Sequence, residues 1–167
     1  RLFLRNLELD GTALASPSGF TALATLHVAD DGQVGVYNCT VKSTTGATPN
    51  VTALGSVTVS RCYLTCLAAK RGIHVTGVNS LAPSLIVANT AFSGGAIGIL
   101  LSVPMRLSNI TSSYFTGQTT AGIQHAAQCQ VSTISGLVMA GGGGSTVGIL
   151  INGTGGGVFG SSISGGA

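Results

Sequence analysis

Charge is scarce in this sequence. Aspartate and glutamate together number four, lysine and arginine seven, and charged residues make up 7% of the chain. The carboxylates are Glu8, Asp10, Asp30 and Asp31, and none follows between Gln33 and Ala167. A long groove without side-chain carboxylates has little with which to do general acid/base chemistry. Tryptophan is absent, aromatics are 5% and there are four prolines. A disordered chain would combine low hydropathy with high charge, whereas the mean hydropathy here is +0.53. Glycine, serine, threonine and asparagine interrupt every apolar stretch, so none approaches the roughly 20 residues of a membrane helix. The net charge of +3 is spread along the chain, with Lys70-Arg71 as its densest point. Nucleic-acid binding needs a denser phosphate footprint, and no nucleic-acid partner is expected.

What is abundant is a repeated phrase of short alternating strands and small turn residues. Leu85 to Leu101 shows it most clearly: strand, turn at Asn89, strand, Gly94-Gly95, strand. Taking the turn as a register mark, the phrase recurs at Asn6, Asn38, Arg61, Asn89, Ser112, Gly136 and Gly160, in steps of 32, 23, 28, 23, 24 and 24 residues. A period of this size predicts one rung of a parallel β-solenoid. The fold class read from the sequence is all-β, a right-handed parallel β-helix of about seven rungs. Handedness follows the usual parallel crossover. At roughly 4.8 Å per rung the column would stand about 30 Å tall.

A single β-helix domain is expected over residues 1–167. Beginning at Arg1 within a strand, with no Met and no signal peptide, and ending just after a rung, the chain reads as a piece of a longer polypeptide. Leu2, Leu4, Leu7 and Leu9 are expected to point inward, and Phe3 and Glu8 outward. Residues 12–23 and 43–50 read as loops. Each later rung closes on Gly72-Ile-His-Val75, Gly98-Ile-Leu-Leu101, Gly122-Ile-Gln-His125 or Gly148-Ile-Leu-Ile151. Period-2 alternation turns the first and third residues after each glycine inward.

The same alternation leaves Tyr63, Ile86, Ala91, Leu100, Tyr114, Val138 and Leu150 outside. An apolar row across several rungs marks an interface, read here as packing between copies of the column, with a homotrimer as the expected state. The alternative is that a loop such as 12–23 or 43–50 covers it.

No catalytic residue is assigned, no enzymatic activity is expected, and no cofactor or metal is called for. Asp30-Asp31-Gly32 is a turn sequence whose two carboxylates would point to opposite faces. His27 and His74 fall at like positions on non-adjacent rungs and read as surface imidazoles. His125 is expected inside, with hydrogen-bond partners. Cys39 and Cys62 take the same inward position on successive rungs. They read as stacked buried thiols, with a disulfide as the alternative. Cys62 and Cys66 lack the further ligands of a zinc site. Four sequons begin at Asn38, Asn50, Asn109 and Asn152. They matter only in a secretory route, and for Asn38 a turn role is the preferred reading.

In fold the chain resembles the pectin-lyase-like β-helices. The order Val57-x-Val59-x-x-Cys62-x-x-x-Cys66, then Lys70-x-Gly72, Phe92, Gly98-Ile-Leu100, Arg106 and Asn109, resembles the family of the adenovirus early-region large protein and the β-helical capsid protein of atadenoviruses. Leu4-x-Asn6, Gly11 and Gly19 extend the resemblance upstream. It spans roughly residues 3–140. The regulatory member's Cys-rich later region has no counterpart here, which sets aside its partner-protein and ubiquitin-ligase roles. The capsid relative implies a trimeric, non-enzymatic structural protein on the virion surface, serving virion stability or host attachment. Its partners would be other virion or cell-surface components, glycans among them. Two readings stand beside it: a carbohydrate-binding or carbohydrate-cleaving β-helix of a tailspike or secreted enzyme, and a bacterial surface adhesin fragment.

Overall fold

The computed structural model describes residues 1–11, 27–28, 33–43, 50–52, 56–66, 70–76, 84–140, 147–152 and 162–166. These residues form β-strands joined by turns and short connections. All pairings between strands are parallel, each strand meeting the one that lies one turn further along the chain.

Three ladders result. The first stacks β1 (Leu2–Arg5), β4 (Gln33–Tyr37), β7 (Ser56–Ser60), β10 (Ser84–Ala88), β13 (Met105–Thr111) and the first half of β16 (Cys129–Ala140), which β18 (Ser162–Gly166) joins. The second stacks β2 (Glu8–Gly11), β5 (Thr40–Ser43), β8 (Tyr63–Cys66), β11 (Ala91–Gly94), β14 (Tyr114–Thr116) and the second half of β16. The third stacks β3 (His27–Val28), β6 (Asn50–Thr52), β9 (Arg71–Thr76), β12 (Ile97–Leu101), β15 (Ala121–His125) and β17 (Val147–Ile151). This is a parallel β-solenoid, as the repeat predicts. Its closed core occupies about four turns, between Val34 in β4 and Leu137 in β16.

The corner between the first two ladders is set by single residues. Asn6, Asn38, Arg61, Asn89 and Ser112 have φ of 55°, 54°, 55°, 49° and 47°, and Gly136 has 60°. Every register mark within the described residues therefore sits in the left-handed region, where a short amide or a glycine is favoured. Gly160 lies outside the described residues. The N–H of each non-glycine corner residue bonds to a carbonyl on the following rung, such as Asn89 to Thr111 at 3.1 Å.

After four of the six described corners the next residue is buried and carries a γ donor. Cys39, Cys62, Thr90 and Ser113 each donate from Sγ or Oγ to the carbonyl two residues back, at 3.2, 3.2, 2.9 and 2.9 Å. Thiol and hydroxyl thus do one job: each gives a second hydrogen bond to a carbonyl that also accepts the N–H of the preceding rung's corner residue. All four cysteines are buried and free, which for Cys39 and Cys62 is what the stacked-thiol reading expects.

The core is built from rows that run up the column. One row is Val36, Val59, Val87, Ile110 and Ile134, and another Val41, Leu64, Phe92 and Phe115, all buried. Phe92 and Phe115 stack with ring centroids 4.7 Å apart and planes 2° from parallel. The third ladder answers with glycines. A Cβ on Gly72 would lie 2.7 Å from Phe92 Cδ1, and one on Gly98 2.5 Å from Phe115 Cδ1. At Gly72 and Gly98 the glycine that opens the closing phrase makes room for the aromatic opposite, and at Gly122 and Gly148 the side chain opposite is Met139.

Four expectations need correction. Ile151, expected inward at the end of β17, is 44% exposed. Leu2 and Leu7 are exposed, the former by 49%, although the partners of Leu2 further along its row are buried. Among the described residues nothing stacks on the outer side of β1, so inward pointing does not bring burial there. Leu100, expected outside, is 7% exposed. His125 is fully buried as expected, but neither ring nitrogen has a hydrogen-bond partner.

Candidate functional site

The residues expected to form one outward stripe divide among three faces. Tyr63, Ala91, Tyr114 and Val138 are in register from β8 through β11 and β14 to β16, and form a single row. Tyr63, Tyr114 and Val138 are 46%, 41% and 47% exposed, with Ala91 half-buried between the tyrosines. Beside them on the same face run Thr65, Ser93 and Thr116, also in register. Ile86 lies on the first ladder between Thr58 and Asn109, exposed but flanked by polar neighbours. Leu100 and Leu150 lie on the third ladder in one row with His74 and Gln124, the first buried and the second half-buried. One continuous apolar row survives, then, on the second ladder. The expected loop 12–23 lies outside the described residues, as does the expected loop 43–50 except for Ser43 and Asn50, which end β5 and begin β6.

The few charged and titratable groups do not converge. Glu8 forms an ion pair with Lys42 across adjacent strands, and that hydrogen bond holds the lysine pKa above its ordinary value. Asp10 is engaged as well, and Asp30-Asp31 lie outside the described residues. His27 and His74 stand in the same row with Asn50 between them, by backbone register. His74 is half-buried, with Nε2 3.0 Å from Ser102 Oγ. Burial, with the Arg71 charge adding, pushes its pKa down to about 4. Burial alone lowers that of His125. Among the described residues no three His, Cys, Asp or Glu side chains come together. Cys62 and Cys129 have thiol pKa values raised by burial, the environment of inert rather than reactive cysteine.

Two surface concavities are lined by described residues. The first, about 270 Å³, lies over Gly35 between Phe3, Tyr37, Arg1 and Gln33. Here the Arg5 guanidinium sits 5.9 Å from the Phe3 ring centroid and 5.3 Å from that of Tyr37, and Arg1 Nε donates to Gln33 Oε1 at 2.6 Å. Tyr37 and Phe3 occupy the space a Gly35 Cβ would need, so their own packing accounts for the glycine.

The second is about 390 Å³ and follows the left-handed corner. Asn38, Thr40, Arg61, Tyr63, Asn89 and Ala91 line it, with Cys39 and Cys62 beneath. Asn38 Nδ2 donates to Asn6 Oδ1 at 2.7 Å, one rung of an amide ladder. Arg61 interrupts that ladder. Its side chain is exposed, and it makes no hydrogen bond or ion pair among the described residues. Sequence reading identified Arg61 as a turn mark but not as a cation facing a groove. The signal available was its chemistry: a long cation in a row of short amides.

A comparison with protein-family models, with curated proteins and with solved structures finds no significant match to this chain.

Proposed function

We propose that this chain is a non-enzymatic structural module, a right-handed β-helix of about seven rungs that assembles as a homotrimer on a virion surface. Its role there is virion stability or host attachment. The observation that carries the reading is the row Tyr63–Ala91–Tyr114–Val138, apolar and in register across four strands, with three of its members more than 40% exposed. An ordered apolar row on a regular sheet face suits a partner that is equally regular, and another copy of the column is one. The resemblance to the capsid branch of the adenovirus-related family supports the virion assignment. The pairing of Glu8 with Lys42 and the carboxylate-free stretch from Gln33 onward support a structural rather than a hydrolytic role.

The test is the effect of Tyr114→Glu on assembly. The substitution places a charge in the middle of the row without touching the core. It is expected to convert a trimer into folded monomers. A variant that keeps the native mass of the parent would remove the row from the interface.

A glycan-binding surface is the second reading. The hydroxyl row Thr65–Ser93–Thr116 beside exposed tyrosines supports it.

A further inference from the structure

Arg61 occupies a backbone position that its side chain does not favour. At φ 55° an L-residue with a Cβ is strained. Asparagine is tolerated there because its short amide bonds locally, and Asn38 bonds in this way to Asn6. A guanidinium on a long stem has no such local compensation: the Arg61 N–H bonds to Ala88 O, but its side chain makes no hydrogen bond or ion pair among the described residues. Non-glycine residues held in the left-handed region by surrounding structure often sit at binding sites.

We propose that the corner around Arg61 binds a carboxylated sugar. The groove offers what such a ligand needs. A guanidinium presents paired N–H donors that fit a carboxylate in a two-point contact. Of the described acids, Glu8 is paired with Lys42 and Asp10 is also engaged, and Arg61 is the charged residue of the groove lining. Asn38 and Asn89 stand one rung to either side of Arg61, about 4.8 Å away along the column. The Asn38 Nδ2 already donates to Asn6, which leaves its Oδ1 to accept from a hydroxyl. Tyr63, 46% exposed, presents an aromatic face to the C–H side of a pyranose ring. Ala91 beside it leaves space where a larger residue would fill the groove. A bare anion would use the guanidinium alone, whereas the flanking amides and the ring suit a hydroxylated ring carrying the charge. About 390 Å³ accommodates a disaccharide.

Tyr63 and Ala91 also stand in the row assigned above to the trimer contact, so sugar binding is measured on Tyr114→Glu as well as on the parent: mass tests the assembly, and sugar binding to the monomer tests the corner. The probe pair is cellobiouronic acid and cellobiose, alike except for the carboxylate, titrated by calorimetry or NMR against the full chain and against Arg61→Asn. Cellobiouronic acid should bind about tenfold or more tightly than cellobiose, the increment of a charge-assisted hydrogen bond. Arg61→Asn should abolish that preference. It should also raise the unfolding midpoint, because asparagine restores the corner residue of the adjacent rungs. Equal binding of the two sugars, no binding of either, or a preference that survives in Arg61→Asn would overturn the proposal. Sodium sulfate binding as tightly as cellobiouronic acid would also overturn it, since the corner would then take a bare anion.

Discussion

Gly98 and Phe115 face each other across the interior of the column. A Cβ on Gly98 would lie 2.5 Å from Phe115 Cδ1 and 2.6 Å from the Gly122 carbonyl oxygen. Neither neighbour can yield easily. The ring is locked against Phe92, and the carbonyl belongs to the next strand of the ladder. Gly98→Ala should therefore cost about 1–3 kcal/mol, the range for overpacking a filled core. Gly148 is the control. There the nearest atom is Met139 Sδ at 3.1 Å, part of a flexible thioether that can swing aside. Urea unfolding should show a clearly larger loss for Gly98→Ala than for Gly148→Ala.

The left-handed corner gives a second test. Asn89 is exposed and has φ of 49°. Asn89→Ala should lose about 1 kcal/mol through backbone strain, while Asn89→Gly should stay within a few tenths of the parent. Comparable losses for both variants would mean that the amide, rather than the backbone conformation, holds the corner.

Acid should weaken the fold through its histidines. His74 and His125 have folded-state pKa values below the ordinary value of 6.5. Above 6.5 they are neutral in both folded and unfolded chains and contribute no pH dependence. As the pH falls from 6.5, the unfolded chain takes up protons that the folded chain refuses, so stability drops. For His74 the drop levels off near pH 4. His125→Leu should flatten the dependence. It should also raise stability at pH 7 by about 1–3 kcal/mol, because it removes two buried nitrogens that have no partner. Unfolding midpoints at pH 7 and pH 4.5 for the parent and His125→Leu measure both effects.

The four cysteines should resist modification in the native state. All are buried and free, and the Cys39 and Cys62 thiols are turned onto backbone carbonyls. A thiol reagent should label them only at the rate of unfolding, and fully in denaturant. Rapid native-state labelling of Cys62 would contradict the packing described.

Much of this architecture was legible in the sequence because it depends on local backbone chemistry. A left-handed corner needs a short amide, a hydroxyl or a glycine, and five of the six described corners carry one. Inward alternation in three of the four closing strands was legible for the same reason: Ile73, Val75, Ile99, Leu101, Ile123 and His125 are all buried, whereas Ile151 in the last is exposed. What escaped depends on relations between rungs. Period-2 alternation says that Tyr63, Ile86 and Leu100 point outward, but not that the three lie on different ladders. The burial of Leu100 at an outward position is likewise a property of neighbours. The steric pairing of Gly72 with Phe92 and of Gly98 with Phe115 appears only when opposite faces are brought together.

The solution mass of the chain, measured by light scattering, bears most directly on the proposed assembly. The account predicts about 50 kDa, three times the 16.5 kDa chain, falling to a single chain in Tyr114→Glu. A parent protein that runs at 16.5 kDa at micromolar concentration would contradict the assembly through the Tyr63–Ala91–Tyr114–Val138 row.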